Sequence, residues 1–426
     1  MRLTWALLVV VGAAGVVLPP TSAVALPAAL PAPTPLYTED FEHGQGATPI
    51  KLDAYVGAPP ADETYTADPQ WLSNCNGILT SAQQPATIPS GSGCPDVESW
   101  TDLQRMASAL GDWAGGSGAT NHALGEYTAA NPGADHVMFQ TVTPVSMSLT
   151  HRFITFAVDA AAVNCHVAHP LLAFALLTSN TVIPLEATPI DPCTDPATVL
   201  AGVSVGRYTA DRAILFTGSS LGLRLTNAQD SGTGNDGAVD NLRIVDVTPR
   251  LAWGASPATV PAGGGTTVTL TVTNTAERGR KQGWSLIDTL PTGLTLAHGS
   301  GAASTDCTAA TLAARPGGNR LALAATLTEG QASCTVTMHV QATAAGRYPL
   351  CAPAVLIGLA APRCTVITFT PVLPATGPPA AGLIGAAVVL LLAGVSFVVL
   401  ARRGLRGRAE SATGTWTTRP RAFRAR

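Results

Sequence analysis

Two uncharged apolar runs, one near each end, constrain this chain more than any other feature. The first, Leu3–Leu18, lies behind Met1-Arg2 and ahead of Pro19-Pro20. One positive charge, an apolar stretch and a small-x-small site at Ala23 and Ala25 are the parts of a secretory signal peptide over residues 1–25. The stretch is short for a membrane span, and an uncleaved anchor is the alternative. Residues 26–36 read as a Pro-rich spacer. The second run, Ala380–Ala401, holds 22 residues without a charge. As a helix it is long enough to cross a bilayer core of roughly 30 Å. The tail 402–426 carries eight Arg and one Glu, which keeps it on the cytoplasmic side. What lies between the two runs is expected outside the membrane.

Just before the second run stands Leu373-Pro374-Ala375-Thr376-Gly377. Five such residues, then an apolar span, then a basic tail, resemble the L-P-x-T-G sorting signal of Gram-positive cell-wall proteins. The resemblance implies a sortase whose thiolate attacks the Thr376 carbonyl and passes the chain to peptidoglycan. The membrane would then be a transient partner through residues 380–401. The local chemistry suits this, because Pro374 restricts the chain and Gly377 leaves the attacked carbonyl uncovered. A chance linker before an ordinary anchor is the alternative. With 22 Arg against 2 Lys the coding bias reads as a GC-rich genome, which points to an actinobacterium as the source.

The cysteines agree with export. There are eight: Cys75, Cys94, Cys165, Cys193, Cys307, Cys334, Cys351 and Cys364. An even number in an exported chain favours disulfides, and eight cysteines allow 105 connectivities. They split four and four along the chain, and sequential pairing is the simplest expectation: Cys75–Cys94, Cys165–Cys193, Cys307–Cys334 and Cys351–Cys364. Cys165-His166-x-x-His169 offers zinc-type ligands as a rival reading.

Charge marks a boundary near Pro249. Residues 37–248 carry 22 acidic and 7 basic side chains, and residues 251–372 carry 4 and 7. The whole chain has a net charge of -3, which argues against nucleic acid as a partner. Alternation in Thr266–Asn274 (TTVTLTVTN) marks a half-buried strand, and Gly and Pro punctuate the rest at short intervals. The expected fold class is all-β. A jelly-roll-like β-sandwich head spans 37–248, and an Ig-like β-sandwich spans 251–370. A linker with the sorting motif (371–377), a transmembrane helix (380–401) and a cytoplasmic tail (402–426) follow. One amphipathic helix is expected over Asp96–Leu110, with Val97, Trp100, Leu103, Met106, Ala107 and Leu110 on one side. Val272-Thr273-Asn274, Asp288-Thr289-Leu290-Pro291 and Thr292-Gly293-Leu294 resemble a repeated Ig-like module of bacterial surface proteins, which implies a stalk or spacer. Some such modules carry a Lys–Asn cross-link. Lys281 is the one candidate lysine there, and its Arg-Gly-Arg-Lys setting reads as a solvated loop.

Several constellations could carry chemistry. The segment Asn227–Asn241 is rich in oxygen side chains, and Asp230, Asn235, Asp236 and Asp240 are candidate calcium ligands. A plain polar turn, with no cofactor, is the competing reading. Gly218-Ser219-Ser220-Leu221-Gly222 matches G-x-S-x-G but precedes a strand-like segment, where a nucleophile elbow needs a helix. Glu39, Asp40 and Glu42 read as solvated acids at a strand start. Trp71, Trp100 and Trp113 could line a sugar site or belong to the core. No catalytic residue is assigned. The expected partners are a sortase, peptidoglycan and an extracellular glycan or protein ligand. A wall-anchored glycan hydrolase and a purely structural stalk are the alternatives.

Overall fold

Strands form where apolar and polar residues alternate. In Gly265–Thr273 the inward set is Val268, Leu270 and Val272, all fully buried, while the threonines between them are partly exposed. Such segments dominate: 47% of the described residues are strand and 7% helix, in a computed structural model that is all-β with several sandwich-like sheets. It describes residues 29–372 apart from 129–132, 180, 231, 233 and 300. Ala23, Ala25, Leu373–Gly377 and the run 380–401 lie outside the described residues. Within those residues no helix is long and apolar enough to cross a membrane.

Two antiparallel sheets build the head. Arg152–Val163 and Asp236–Asp246 are the long central strands of a nine-stranded sheet. Leu172–Leu177, Ser220–Asn227 and His136–Thr141 form the middle of a six-stranded one. Phe139, Phe156, Phe174, Leu223, Leu225 and Ile244 fill the space between them. Helix Val97–Trp113 covers one end of the outer face of the first sheet. Asp96 caps it, accepting from Ser99 N at 2.8 Å while Ser99 Oγ receives the Asp96 N–H. Trp100, Leu103, Met106 and Leu110 bury against Ile78, Ala161, Val205 and Ala238. Val97 departs from the expected apolar face and is 55% exposed, because it occupies the first turn before the helix meets the sheet.

After Arg250 the chain enters other sheets. Arg250–Ser256, Gly265–Thr273 and Ser333–Gln341 pair in one, and Lys281–Thr289 and Arg320–Leu327 in another. Trp284, Leu286, Leu323, Val336 and Met338 fill this second sandwich. Its core continues across the boundary near Pro249, since Phe153 and Val247 of the head are part of it. Backbone bonds also cross: Gly358 N donates to His151 O (2.9 Å), and Ala276 N to Pro31 O (2.8 Å). Contacts divide the chain only after Thr370. The described residues up to that point hold three apolar cores and four disulfides, which makes this part a self-contained fold.

All eight cysteines pair in sequence order. Around the first pair Lys51 acts as a clamp, its Nζ donating to Asn74 O, Asn76 O and Ser92 O at 2.7, 2.8 and 2.9 Å.

Four sequence expectations need correction. The spacer 26–36 is not free, because strand Thr34–Glu39 begins inside it and pairs with Asp236–Asp246. Glu39 is buried rather than solvated, and accepts from Tyr55 Oη (2.8 Å), Phe41 N (2.7 Å) and Tyr65 Oη. Lys281 is fully buried at the start of its strand, ion-paired to Glu277. Asn227–Asn241 is not loop throughout, since the strand Asp236–Asp246 takes up its last six residues.

Burial also sets a pH dependence. Burial pushes Asp236 up to about 6, against the amide donors of Asn164 and Thr128, and it pushes Asp240 well up. Burial opposes charge on His122 and His136, but Glu42 and the Gly46 carbonyl outweigh it for the first, and Glu126 and the Gly133 carbonyl for the second. Both rings sit above the ordinary histidine value. All four groups bind protons more tightly folded than unfolded. Their contribution is fully present below their unfolded values and is lost as pH rises through the folded ones. For Asp236, moving from 3.8 to about 6 corresponds to about 3 kcal/mol. Melting temperature is therefore expected to fall between pH 5 and 8, measured by circular dichroism in one buffer series. A rise over that range would contradict the assignment.

Candidate functional site

The head carries a cleft of about 420 Å³. One wall is the loop after strand Val182–Pro184, from Glu186 to Asp195, and the other is the end of strand Val203–Thr209 with Asp211. Proline and threonine keep this loop out of regular pairing, so it needs other fasteners. Ile190 and Leu172 exchange two backbone bonds of 2.8 and 2.9 Å. The disulfide Cys165–Cys193 pins the far end. Asp191 accepts from Cys193 N (2.9 Å) and meets His169 Nδ1 at 3.0 Å. Ala187 N donates to Asp211 (2.8 Å), and Tyr208 Oη to Asp195 O (2.9 Å). The cleft is thus held in shape without a ligand, which lowers the ordering cost of binding.

Its lining is strongly acidic. Glu186, Asp191, Asp195 and Asp211 face one cation, Arg207, which is already bound by both oxygens of Asp159 at 2.7 and 2.8 Å. Burial pushes Glu186 up to about 7, with Phe174 N pulling it down and the Asp211 charge adding to the rise. Its Oε2 is buried with no hydrogen-bond partner. Asp191 goes the other way. Burial raises it, but the His169 ring and the Thr194 hydroxyl and amide outweigh that and hold it low. Such a cleft can accept hydrogen bonds from hydroxyl or ammonium groups, with the Tyr208 side chain beside them.

The four candidate calcium ligands are not gathered into a cage. Asp236 accepts from Thr128 N (3.1 Å) and Asn164 Nδ2 (3.0 Å), and Asp240 from Asn241 N (2.6 Å) and Asn121 Nδ2 (2.9 Å). Asn235 Oδ1 accepts from Asn227 Nδ2 (2.8 Å), and Asp230 is exposed. N–H donors occupy oxygens of Asn235, Asp236 and Asp240, which favours the competing reading of a polar, hydrogen-bonded strand entrance. The zinc reading fails for a related reason, since Cys165 is in a disulfide. The groups His169, Asp191, Cys193 and Asp306, Cys307, Cys334 each include disulfide sulfur, which offers no thiolate. Ser220 opens strand Ser220–Asn227, so the G-x-S-x-G match has no following helix. Trp71 and Trp100 are fully buried core residues.

Sequence reasoning missed Glu186, Asp195, Tyr208 and Asp211. Its one available signal was the recurrence of acids at 186, 191 and 195 around Cys193 in a Pro- and Thr-rich loop.

Residues 249–355 match a family described as a domain of unknown function, DUF7933. No curated protein matches the chain. Among solved structures, the N-terminal domain of the Streptococcus gordonii adhesin Sgo0707 is similar at 12% identity and a TM-score of 0.27, over 59% of this chain and 66% of that one. That share is just under two thirds of the adhesin domain. The CBM22-2 xylan-binding domain of Paenibacillus barcinonensis Xyn10C is similar at 10% identity and a TM-score of 0.24, over 50% of this chain and 99% of that one. The C-terminal domain of the Streptococcus agalactiae AgI/II polypeptide BspA is similar at 14% and 0.22, over 55% and 93%. TM-scores this low leave the architecture to rest on this chain's own sheets, while the family match covers the start of the second sandwich and most of its length.

Proposed function

We propose that this chain is a non-catalytic surface protein that displays its head for adhesion or ligand binding, anchored to peptidoglycan by a sortase of an actinobacterial cell. The observation that carries the binding reading is the braced, acid-lined cleft between Glu186 and Asp211. Its ligand is an extracellular glycan or protein presenting hydroxyl or ammonium donors. The anchoring reading rests on Leu373-Pro374-Ala375-Thr376-Gly377 ahead of a charge-free run and a basic tail. Disulfide pairing of all eight cysteines supports an oxidising, extracellular setting.

Thr376→Ala keeps the main-chain carbonyl that the sortase would attack but removes the side chain by which it would recognise the site. The variant is expected to shift from the wall fraction to the membrane fraction, assayed by muramidase release and blotting. Unchanged covalent wall attachment would sink the anchoring reading.

One observation favours a second reading. Glu186, held near 7, and Asp191, held low, stand in one cleft, which is the divergence that acid–base pairs in glycosidases use. Under that reading the cleft would release product from a glycan.

A further inference from the structure

A second cavity, of about 320 Å³, lies where the head meets the second sandwich and the N-terminal strand segment. Ala157, Ala213 and Val245 give it an apolar floor from the head, and Gly279 closes it from the other side. Two guanidinium groups, Arg212 and Arg243, line it together. Their situation is unusual for this head, which carries 22 acidic against 7 basic residues. Arg105, Arg152 and Arg207 each hold an aspartate at 2.6–2.7 Å, and Arg224 holds Gln140 at 2.7 Å. Among the described residues Arg212 and Arg243 make no ion pair, and the contact shown for the Arg243 guanidinium is to Asn241 Oδ1 at 3.5 Å. Three acids, Asp211, Glu277 and Glu329, line the same cavity but form no ion pair with either arginine. Asp211 accepts from Ala187 N, and Glu277 is bound to the buried Lys281. Glu329 stands exposed on the second-sandwich side.

We infer that this junction cavity binds a small organic anion, a carboxylate or phosphate monoester on a compact apolar body, with Arg212 and Arg243 as its charge partners. In a head with a surplus of carboxylates, two arginines that line one cavity without an ion pair stand out, and guanidinium groups match carboxylate and phosphate geometry. A mostly apolar cavity at a domain junction with a few convergent polar groups is a common form of small-ligand site, and this one is partly open to solvent, with Arg212 exposed at its edge. Glu329 disfavours ligands with extended negative charge. The site does not depend on the acid-lined cleft, although Thr209 and Asp211 line both.

The test is calorimetric titration of residues 26–372 with benzoate and with phenyl phosphate, using benzyl alcohol and benzylamine as uncharged and cationic controls. At least one anion is expected to bind with a Kd below about 1 mM, and Arg212→Gln and Arg243→Gln to weaken it about tenfold each. Binding of benzoate alone assigns a carboxylate ligand, and of phenyl phosphate alone a phosphate. Equal binding of benzylamine, anion binding unchanged in both variants, or no binding of either anion at 20-fold that concentration, roughly 20 mM, would overturn the inference. Arg212 is exposed, so Arg212→Gln keeps the test valid should Arg243→Gln fail to fold.

Discussion

Glu126→Ala is expected to destabilise the head by about 3–5 kcal/mol, enough to unfold much of the population near 37 °C. Glu126 is fully buried in strand Ala123–Tyr127 of the first sheet. Three donors from other elements converge on it: Trp71 Nε1 at 2.5 Å, His136 Nε2 at 3.1 Å and Asn227 Nδ2 at 2.5 Å. His136 and Asn227 belong to the second sheet and Trp71 to the short helix Pro69–Leu72, so one carboxylate fastens both layers at one end. The His136 ring faces Glu126 on one nitrogen and the Gly133 carbonyl on the other (2.6 Å), which calls for a proton on both. Removing the carboxylate strips the buried His136 Nε2, Trp71 Nε1–H and one Asn227 N–H of their shared acceptor, while His136 Nδ1 keeps the Gly133 carbonyl. Glu126→Gln keeps the shape and is expected to cost less. Urea midpoints of both variants, beside an exposed control at Glu98, measure the difference. A midpoint for Glu126→Ala within error of the unsubstituted protein would refute the fastening role.

Gly358→Ala is expected to cost about 2–5 kcal/mol and to loosen the junction between head and second sandwich. Gly358 has φ +65°, where a side chain is strained, and an added Cβ would lie 2.6 Å from Phe153 Cε2 and 3.1 Å from Leu215 Cδ1. Phe153 is 1% exposed and part of the second sandwich's core, so it has little room to yield. The same glycine donates to His151 O across the junction. Two melting transitions should then replace one, and proteolysis near Pro249 should speed up. One unchanged transition would show that the two sandwiches do not depend on this contact.

The strands with period-two alternation were legible, because burial on one sheet face writes that pattern directly. Gly265–Thr273 lies within one residue of the Thr266–Asn274 segment where alternation put it. The disulfides were legible because pairing stays within each half of the chain. Buried charge was not. Lys281 and Glu39 look solvated in sequence, since their partners Glu277, Tyr55 and Tyr65 are identified only once the chain folds. The oxygen-rich segment misled for the same reason: strand pairing gives Asp236 and Asp240 to amide donors from residues 108, 72 and 119 positions away, and to a near neighbour. The cleft was hidden because its walls, Glu186–Asp195 and Arg207–Asp211, are distant in sequence and meet through tertiary bonds such as Ala187 N to Asp211 and Tyr208 Oη to Asp195 O.

The most direct test of the binding claim is a glycan and peptide array probed with residues 26–372, followed by titration of any hit. Asp195→Asn and Glu186→Gln are the test variants, because the Asp195 carboxylate is exposed and Glu186 Oε2 is unpartnered. Saturable binding without product release is expected, weakened about tenfold in the double variant. For an ammonium-bearing ligand, affinity should rise as pH passes about 7 and Glu186 gains its charge. Binding unaffected by both substitutions would contradict the cleft, and product release lost in Glu186→Gln would establish the hydrolase instead.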